Sequence, residues 1–282
     1  MRIAFYAPLK PPDHPTPSGD REVARLFLAA LRMAGHEAFV ASRLRSYEGR
    51  GDAGRQARLA RLGGMLAQRF LRRCRAGREP VPDAWFSYHL YHKAPDWLGP
   101  AIAGDLGIPY VIAEASDAPK QAVGKWAAGR DATLAAIRRA DAVIGLNSAD
   151  RECVLPLLPD PGRWVAVKPF LDARCFERRE PARKEPPHLV TIAMMRYGDK
   201  LASYRMLGAA LAELLDLHWS LEVIGDGAAR REVEEALDPV KGRVMWSGTL
   251  GSTAVRQRLA VADLFVWPAV NEAFGMAVLE AQ

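Results

Sequence analysis

Cysteine is scarce in this chain: Cys74, Cys153 and Cys175 are the three in 282 residues, far apart and without a Cys-x-x-Cys pair. That excludes a disulfide framework, and the simplest expectation is a reduced, cytoplasmic setting. No Asp-x-Asp triplet and no His/Cys cluster with ligand spacing occurs, so the sequence offers no candidate metal site. No apolar run reaches the length of about eighteen residues that a spanning helix needs. The apolar part of Met1-Arg-Ile-Ala-Phe-Tyr-Ala7 is too short for a secretory signal and reads as a first strand. What remains is ordinary globular composition, 49% hydrophobic and 26% charged, enough for one large or two ordinary domains.

The net charge of +6 is unevenly placed. Residues 43–79 hold eleven arginines against Glu48, Asp52 and Glu79, which leaves that segment at +8 and the rest of the chain at −2. Leu59, Leu62, Met65, Leu66, Phe70 and Leu71 recur within it at helical spacing, predicting a basic amphipathic helix. Such a helix suits peripheral contact with an anionic membrane face, or simply a solvated arginine-rich surface. Nucleic acid is not expected as a partner, because no recognition motif accompanies the charge.

Strand and helix signals alternate from the N-terminus: strand Arg2–Ala7, helix Arg21–Ala34 capped by Ser18 or Asp20 and stopped by Gly35, strand Glu37–Ser42. After the basic segment come strands at Ala84–Tyr88, Pro109–Ala113, Ala142–Leu146 and Trp164–Val167, with helices near Trp97–Leu106 and Ala127–Ala140. Residues 171–187 are rich in charge and proline without periodicity and read as a linker. The alternation then restarts with strands Leu189–Ala193, Ser220–Ile224, Arg243–Trp246 and Leu264–Trp267, separated by helices and followed by one from Phe274. The pattern predicts an α/β protein of two Rossmann-like domains facing a cleft: residues 1–170, a linker 171–187, and residues 188–282. The last helix has no stop signal and the second domain has four strand signals, so a C-terminally truncated, incomplete second domain is expected, with low or absent activity and exposed apolar surface.

The most informative segment is Glu272-Ala-Phe274-Gly275-Met-Ala-Val-Leu-Glu280. Its two carboxylates stand eight positions apart, after a buried-strand pattern that Pro268 ends. That puts Glu272 at the carboxyl edge of the sheet, where open α/β folds bind ligands, with the amides of Phe274 and Gly275 facing the same space. Upstream stand Gly35-His36-Glu37, Ala140-Asp141-Ala-Val-Ile144, Lys168-Pro-Phe-Leu-Asp172, Leu221-Glu-Val-Ile-Gly225-Asp226-Gly227, Val244-Met-Trp-Ser-Gly248 and Ala262-Asp263-Leu-Phe-Val-Trp-Pro268. With these in order, the chain resembles the GT-B glycosyltransferases of the large "family four" group of retaining enzymes.

The resemblance implies transfer of a sugar from a nucleotide-diphosphate donor, UDP- or GDP-linked, to a glycan or lipid-linked acceptor, with no further cofactor. Negative charge grows on the departing diphosphate, so fixed cations there lower the barrier without rearrangement. Arg196 and Lys200, after the strand Leu189–Ala193, match the family's basic pair and would do this without a metal ion. By the same resemblance Glu272 meets donor-sugar hydroxyls, Phe274 and Gly275 offer amides to sugar and phosphate, and Glu280 accepts from the ribose. Gly225 and the partial glycine motif at Pro17-Ser18-Gly19-Asp20 belong to donor-side loops. Glu114-Ala-Ser116-Asp117 stands where the family commonly has a histidine, so Glu114 and Asp117 are acceptor-side candidates, with His89 and His92 near the same edge.

Two rival readings belong beside this one. Gly225-Asp-Gly227-Ala-Ala-Arg230 follows a strand like a dinucleotide fingerprint, but its third glycine is Arg230, which argues against an NAD(P)-dependent oxidoreductase. The other is a catalytically incompetent fragment that retains the fold and weak nucleotide binding.

Overall fold

The computed structural model describes residues 1–16, 18–176, 186–272 and 275–282. They form two compact units, Met1–Pro169 and Phe170–Gln282.

The first unit is a six-stranded parallel sheet in the order β2-β1-β3-β4-β5-β6. Its strands are β1 (Arg2–Tyr6), β2 (Glu37–Ser42), β3 (Ala84–Leu90), β4 (Tyr110–Ala115), β5 (Ala142–Gly145) and β6 (Trp164–Ala166). The central strands carry apolar residues on both faces, as a parallel sheet covered by helices requires. Phe5, Tyr6, Trp85, Tyr88, Tyr110 and Ile112 are all buried. Helices α1 (Gly19–Met33), α2 (Ala53–Arg75), α3 (Gly99–Leu106), α4 (Ala127–Arg139) and α5 (Ser148–Val154) cover it.

Local chemistry fixes where these helices begin and end. Ser18 caps α1, accepting from the Arg21 amide at 3.3 Å. Gly35, at φ 81°, takes the left-handed position after its last turn, where a side chain is disfavoured. Asp52 caps α2 and Asn147 caps α5. Asn147 gave no helix signal in the sequence reading because only seven residues follow before Leu155. Asp96 is buried beneath α3 and accepts from the amides of Leu98 and Gly99 at 2.8 and 2.7 Å, from Tyr110 at 3.0 Å, and from Ser87. One carboxylate thus satisfies a helix start and two core hydroxyls.

The amphipathic expectation for α2 needs one correction. Leu59, Leu66, Phe70 and Leu71 face inward with Gln56, Gly63, Ala67 and Cys74, but Leu62 and Met65 lie on the exposed face. The inward stripe sits close to its neighbour: a Cβ on Gly63 would lie 2.3 Å from Trp97 Cβ. The outward face therefore carries Arg58, Arg61, Leu62, Met65, Arg69 and Arg72 together. Among the described residues no helix is long and apolar enough to cross a membrane.

The second unit has a four-stranded parallel sheet in the order β10-β7-β8-β9. Its elements are β7 (His188–Ile192), α6 (Asp199–Ala212), β8 (Ser220–Ile224), α7 (Arg230–Leu237), β9 (Val244–Gly248), α8 (Ser252–Val261), β10 (Leu264–Phe265) and α9 (Met276–Glu280). Leu189, Leu221 and Val223 pack against Tyr204, Leu207, Leu211, Val233 and Leu237 of α6 and α7. β10 pairs with β7 over two residues only, shorter than the apolar run suggested, because Pro268 cannot donate to the ladder.

Candidate active site

In the second unit three loops meet at the carboxyl edge of the sheet. After β7 the chain runs through Met195, Arg196 and Tyr197 to Gly198 and enters α6. After β8 it passes Gly225 and Gly227, at φ 144° and 155°, values that favour glycine. The Met195 amide donates to Asp226 O at 3.0 Å, and the Ala229 amide to Met195 O at 3.0 Å. This stitching leaves no space for a side chain: a Cβ on Gly225 would lie 1.9 Å from Ala193 O, and one on Gly227 2.3 Å from Met195 O.

The third loop, after β10, turns sharply. Ala269 and Asn271 both have positive φ, 57° and 48°. Such strain in non-glycine residues persists only where the surroundings hold it. Here Ser203 accepts from the Val270 amide at 3.0 Å, and Asn271 donates to Asp199 Oδ1 at 3.1 Å. The turn delivers Glu272 to Lys200: Nζ is hydrogen-bonded to Glu272 Oε2. Trp267 backs the pair, with Nε1 3.4 Å from the same oxygen and the ammonium 5.4 Å from its ring centroid. Trp267 in turn meets Tyr204 edge-on, centroids 5.0 Å apart.

Lys200 and Glu272, 72 residues apart, are therefore brought together, with Trp267 as a partner the sequence reading passed over. Its position at the strand end, just before Pro268, was the available signal. Arg196 is exposed and makes no ion pair with a described residue. Gly275 takes φ 65° at the start of α9, 3.4 Å from Glu272 Cγ where a Cβ would stand. Glu280 is the last residue of α9 and half-buried. Phe274 lies outside the described residues.

The first unit gathers a second group. β3 runs to Leu90, longer than the pattern Ala84–Tyr88 suggested, so His89 lies within the strand rather than after it. It lies level with Glu114 on β4, between the pairs Tyr88 with Ala113 and Leu90 with Ala115. Both adopt positive φ, 57° and 59°. His89 Nδ1 stands 3.3 Å from Asp20 Oδ1 and 3.8 Å from Glu114 Oε2. Burial pulls the imidazole pKa down, but Glu114 and Asp20 outweigh it and hold it above the ordinary value. Burial pushes the Glu114 carboxyl up, partly offset by His89 and the Tyr88 hydroxyl bonded to it. Asp20 is held low despite burial, by His89 and by Lys10. Burial also raises Asp150, which caps this edge from α5.

The other first-unit candidates are placed elsewhere. Asp117 is engaged in a two-point pair with Arg130, 2.7 and 2.8 Å. His92 packs edge-on against Trp126, centroids 5.9 Å apart, and its carbonyl abuts Gly129. Burial lowers its pKa, opposite to His89. Gly19 begins α1 with open space around it, so nothing local demands a glycine there. Asp20, read from sequence as a possible cap and as part of the partial glycine motif, turns toward His89. Among the described residues no three His, Cys, Asp or Glu side chains are grouped as metal ligands.

Residues 186–282 match the sequence model of the family described as glycosyl transferases group 1. That match lies within the second unit. The chain also follows solved GT-B glycosyltransferases over its whole length. It is similar to the lipopolysaccharide outer core galactosyltransferase WaaB in its apo form, with a TM-score of 0.64 and 15% identity over 100% of this chain and 78% of that one. HepE of Anabaena, in complex with UDP, gives 0.67 and 14% over 100% and 78%. WaaG, a glycosyltransferase involved in lipopolysaccharide biosynthesis, gives 0.59 and 18% over 99% and 78%. At such identities the likeness carries the fold. No curated protein matches the chain.

Proposed function

We propose that the chain transfers a sugar from a UDP- or GDP-linked donor to a glycan or lipid-linked acceptor, with retention at the anomeric carbon and with side-chain cations in place of a metal ion. The observation that carries this is the second-unit edge: Lys200 held between Glu272 and Trp267, with Arg196, which makes no ion pair with a described residue, in the loop just before it. Two cations there meet the charge that develops on a departing diphosphate. Gly225 brings bare backbone to the same edge, and Gly275 and Glu280 supply an amide and a carboxylate for sugar and ribose. HepE has been solved with UDP and with UDP-glucose, which favours a uridine donor. Glu114 and His89 are the acceptor-side pair.

Thermal shift with UDP-glucose, GDP-mannose, ADP-glucose and NADH tests the donor, since a ligand that binds only the folded state raises its stability. A rise with UDP-glucose is expected. A rise with NADH and none with any nucleotide sugar would overturn the reading. Retention is read from the anomeric coupling of the product by proton NMR.

A second reading concerns partners. The outward face of α2 sets Leu62 and Met65 among Arg58, Arg61, Arg69 and Arg72, none of which pairs with a described carboxylate. It suits peripheral contact with an anionic bilayer, where each arginine contributes about 1 kcal/mol. Vesicles containing phosphatidylglycerol are expected to co-sediment the chain at low salt, and Arg69→Glu with Arg72→Glu to abolish it. Equal binding to neutral vesicles would refute the electrostatic part.

A further inference from the structure

Beyond Tyr91 the carboxyl edge of the first unit changes character. The loops after β2, β3 and β4 are knitted together there. The Glu48 amide donates to Lys93 O at 2.8 Å, Ser46 Oγ to Pro95 O at 2.7 Å, Trp126 Nε1 to Glu48 O at 3.2 Å, and Gln56 Nε2 to Lys125 O at 2.8 Å. This frame holds two cations by aromatic rings instead of carboxylates. Lys93 Nζ lies 4.8 Å from the Trp126 ring centroid, and the Arg45 guanidinium 4.9 Å from that of Tyr47. Arg45 Nε donates to Leu9 O at 3.1 Å, and its terminal nitrogens make no hydrogen bond with a described residue. Arg50, Lys120 and Lys125 stand exposed on the same loops, and none of the five cations makes an ion pair with a described residue. The nearby acids are already committed: Asp52 caps α2, and Asp117 is paired with Arg130. A recess lined by Ser46, Glu48, Gln56, His92, Lys93 and Trp97 lies between these loops. Both Glu48 oxygens in it are taken, by the amides of Arg50, Gly51 and Asp52 at 2.7, 2.6 and 3.1 Å. Burial, then the charge of Lys93, lowers the His92 pKa, so that ring adds no compensating anion and no competing charge.

A lysine over a ring face is held in place without being neutralised, and its ammonium hydrogens stay available to a further partner. An arginine with Nε on a carbonyl still has its terminal nitrogens to offer to a pair of oxygens. Uncompensated charge of one sign, gathered where loops border a recess, draws an anion from solution. We propose that this edge binds a phosphoryl group, with Lys93 and Arg45 as its main contacts, and that the acceptor is a phosphorylated sugar rather than a neutral one. The anion site stands on the first unit alone; its assignment to the acceptor rests on the glycosyltransferase reading above. A phosphate monoester suits the edge better than a carboxylate does. It carries close to two negative charges and three terminal oxygens, enough for an arginine and a lysine supplied from different loops, where a carboxylate has one charge and two oxygens.

Titration calorimetry of the chain with glucose 6-phosphate, glucose, glucuronic acid and inorganic phosphate tests this. Glucose 6-phosphate is expected to bind about tenfold more tightly than any of the other three, and to weaken as salt rises. Lys93→Gln and Arg45→Gln are each expected to lower that affinity about tenfold, with melting temperatures near native reporting that both variants are folded. Lys93→Arg keeps the charge over the indole and is expected to retain most of the affinity. Arg196→Ala, in the second unit, separates this edge from the cations there and is expected to bind glucose 6-phosphate as the native chain does. Equal affinity for glucose and glucose 6-phosphate, equal affinity for inorganic phosphate, tighter binding of glucuronic acid, or a loss seen in Arg196→Ala and not in Lys93→Gln would each overturn the proposal. None of these outcomes touches the donor reading, which the thermal shift with nucleotide sugars decides. A chain that binds glucose 6-phosphate as expected but responds to no nucleotide sugar would keep the anion site and lose the donor reading.

Discussion

The two sheet edges solve opposite electrostatic problems. In the second unit the edge is built by backbone: glycines at 225 and 227 let the loops lie against each other, and one cation, Arg196, makes no ion pair with a described residue while Lys200 is shared with Glu272. In the first unit the edge is built by side chains, with a histidine between two carboxylates. An unpaired exposed cation waits for an anion from outside. A half-buried imidazole flanked by acids already faces opposite charge, and what it can offer is proton affinity. The difference in charge is what supports, within the proposed function, a diphosphate at the second unit and an acceptor hydroxyl at the first.

The comparison is broken most directly at Lys200. In Lys200→Ala, turnover of UDP-glucose is expected to fall on the order of 10²–10³, the cost of losing one electrostatic contact to a developing charge. Arg196→Ala is expected to act in the same direction. Glu272→Gln should spare the ammonium and cost less than Lys200→Ala. Full turnover in both cation variants would remove the phosphate role from this edge.

Gly225→Ala probes how that edge is made. The added Cβ would press on Ala193 O at a φ of 144° that alanine resists. A loss of about 2–4 kcal/mol in stability is expected from strain and overpacking. Chemical denaturation measures it. Gly19→Ala is the control, because nothing lies within 4 Å of the Cβ it would add and its φ is ordinary. Equal losses would show that the glycines of the two edges are not used differently.

The sequence made the second edge more legible than the first. Strand, proline, Glu272 and helix lie in one continuous stretch, so their order along the chain already places the carboxylate. Arg196 and Lys200 follow β7 in the same way. Trp267 was hidden because its apolar neighbours made it look like core alone, and it is partly core, packed on Tyr204. In the first unit the contact between Asp20 and His89 spans 69 residues and depends on where two parallel strands end. Nothing in either segment announces it. Asp20 at a helix start is read first as a cap, a task that Ser18 performs. The α2 face shows the same gap: helical period told that one side is buried, but Leu62 and Met65 could be assigned to a side only once Gly63 was seen against Trp97.

The smallest effect is the most specific, because it reads the first-unit edge through stability alone. A group whose folded pKa is raised contributes stability that is complete below its unfolded pKa and is lost as pH rises through the folded value. His89 is such a group, with an unfolded value of about 6.5. Asp20 has the opposite sign: its folded pKa is lowered, so its contribution is present above its unfolded value of about 3.9 and is lost as pH falls. The two overlap fully between about pH 5 and pH 6. Glu114, raised by burial, contributes stability that is complete below its unfolded value of about 4.3 and is lost as pH rises above it. Asparagine is the apt replacement for His89, since it tolerates the left-handed backbone at φ 57° and so isolates the charge. The melting-temperature gap between the native chain and His89→Asn is therefore expected to be widest near pH 5–6 and to narrow toward pH 9. A gap that is constant, or that widens with pH, would mean that His89 is held neutral in the folded chain, and the contrast between the two edges would lose its electrostatic basis.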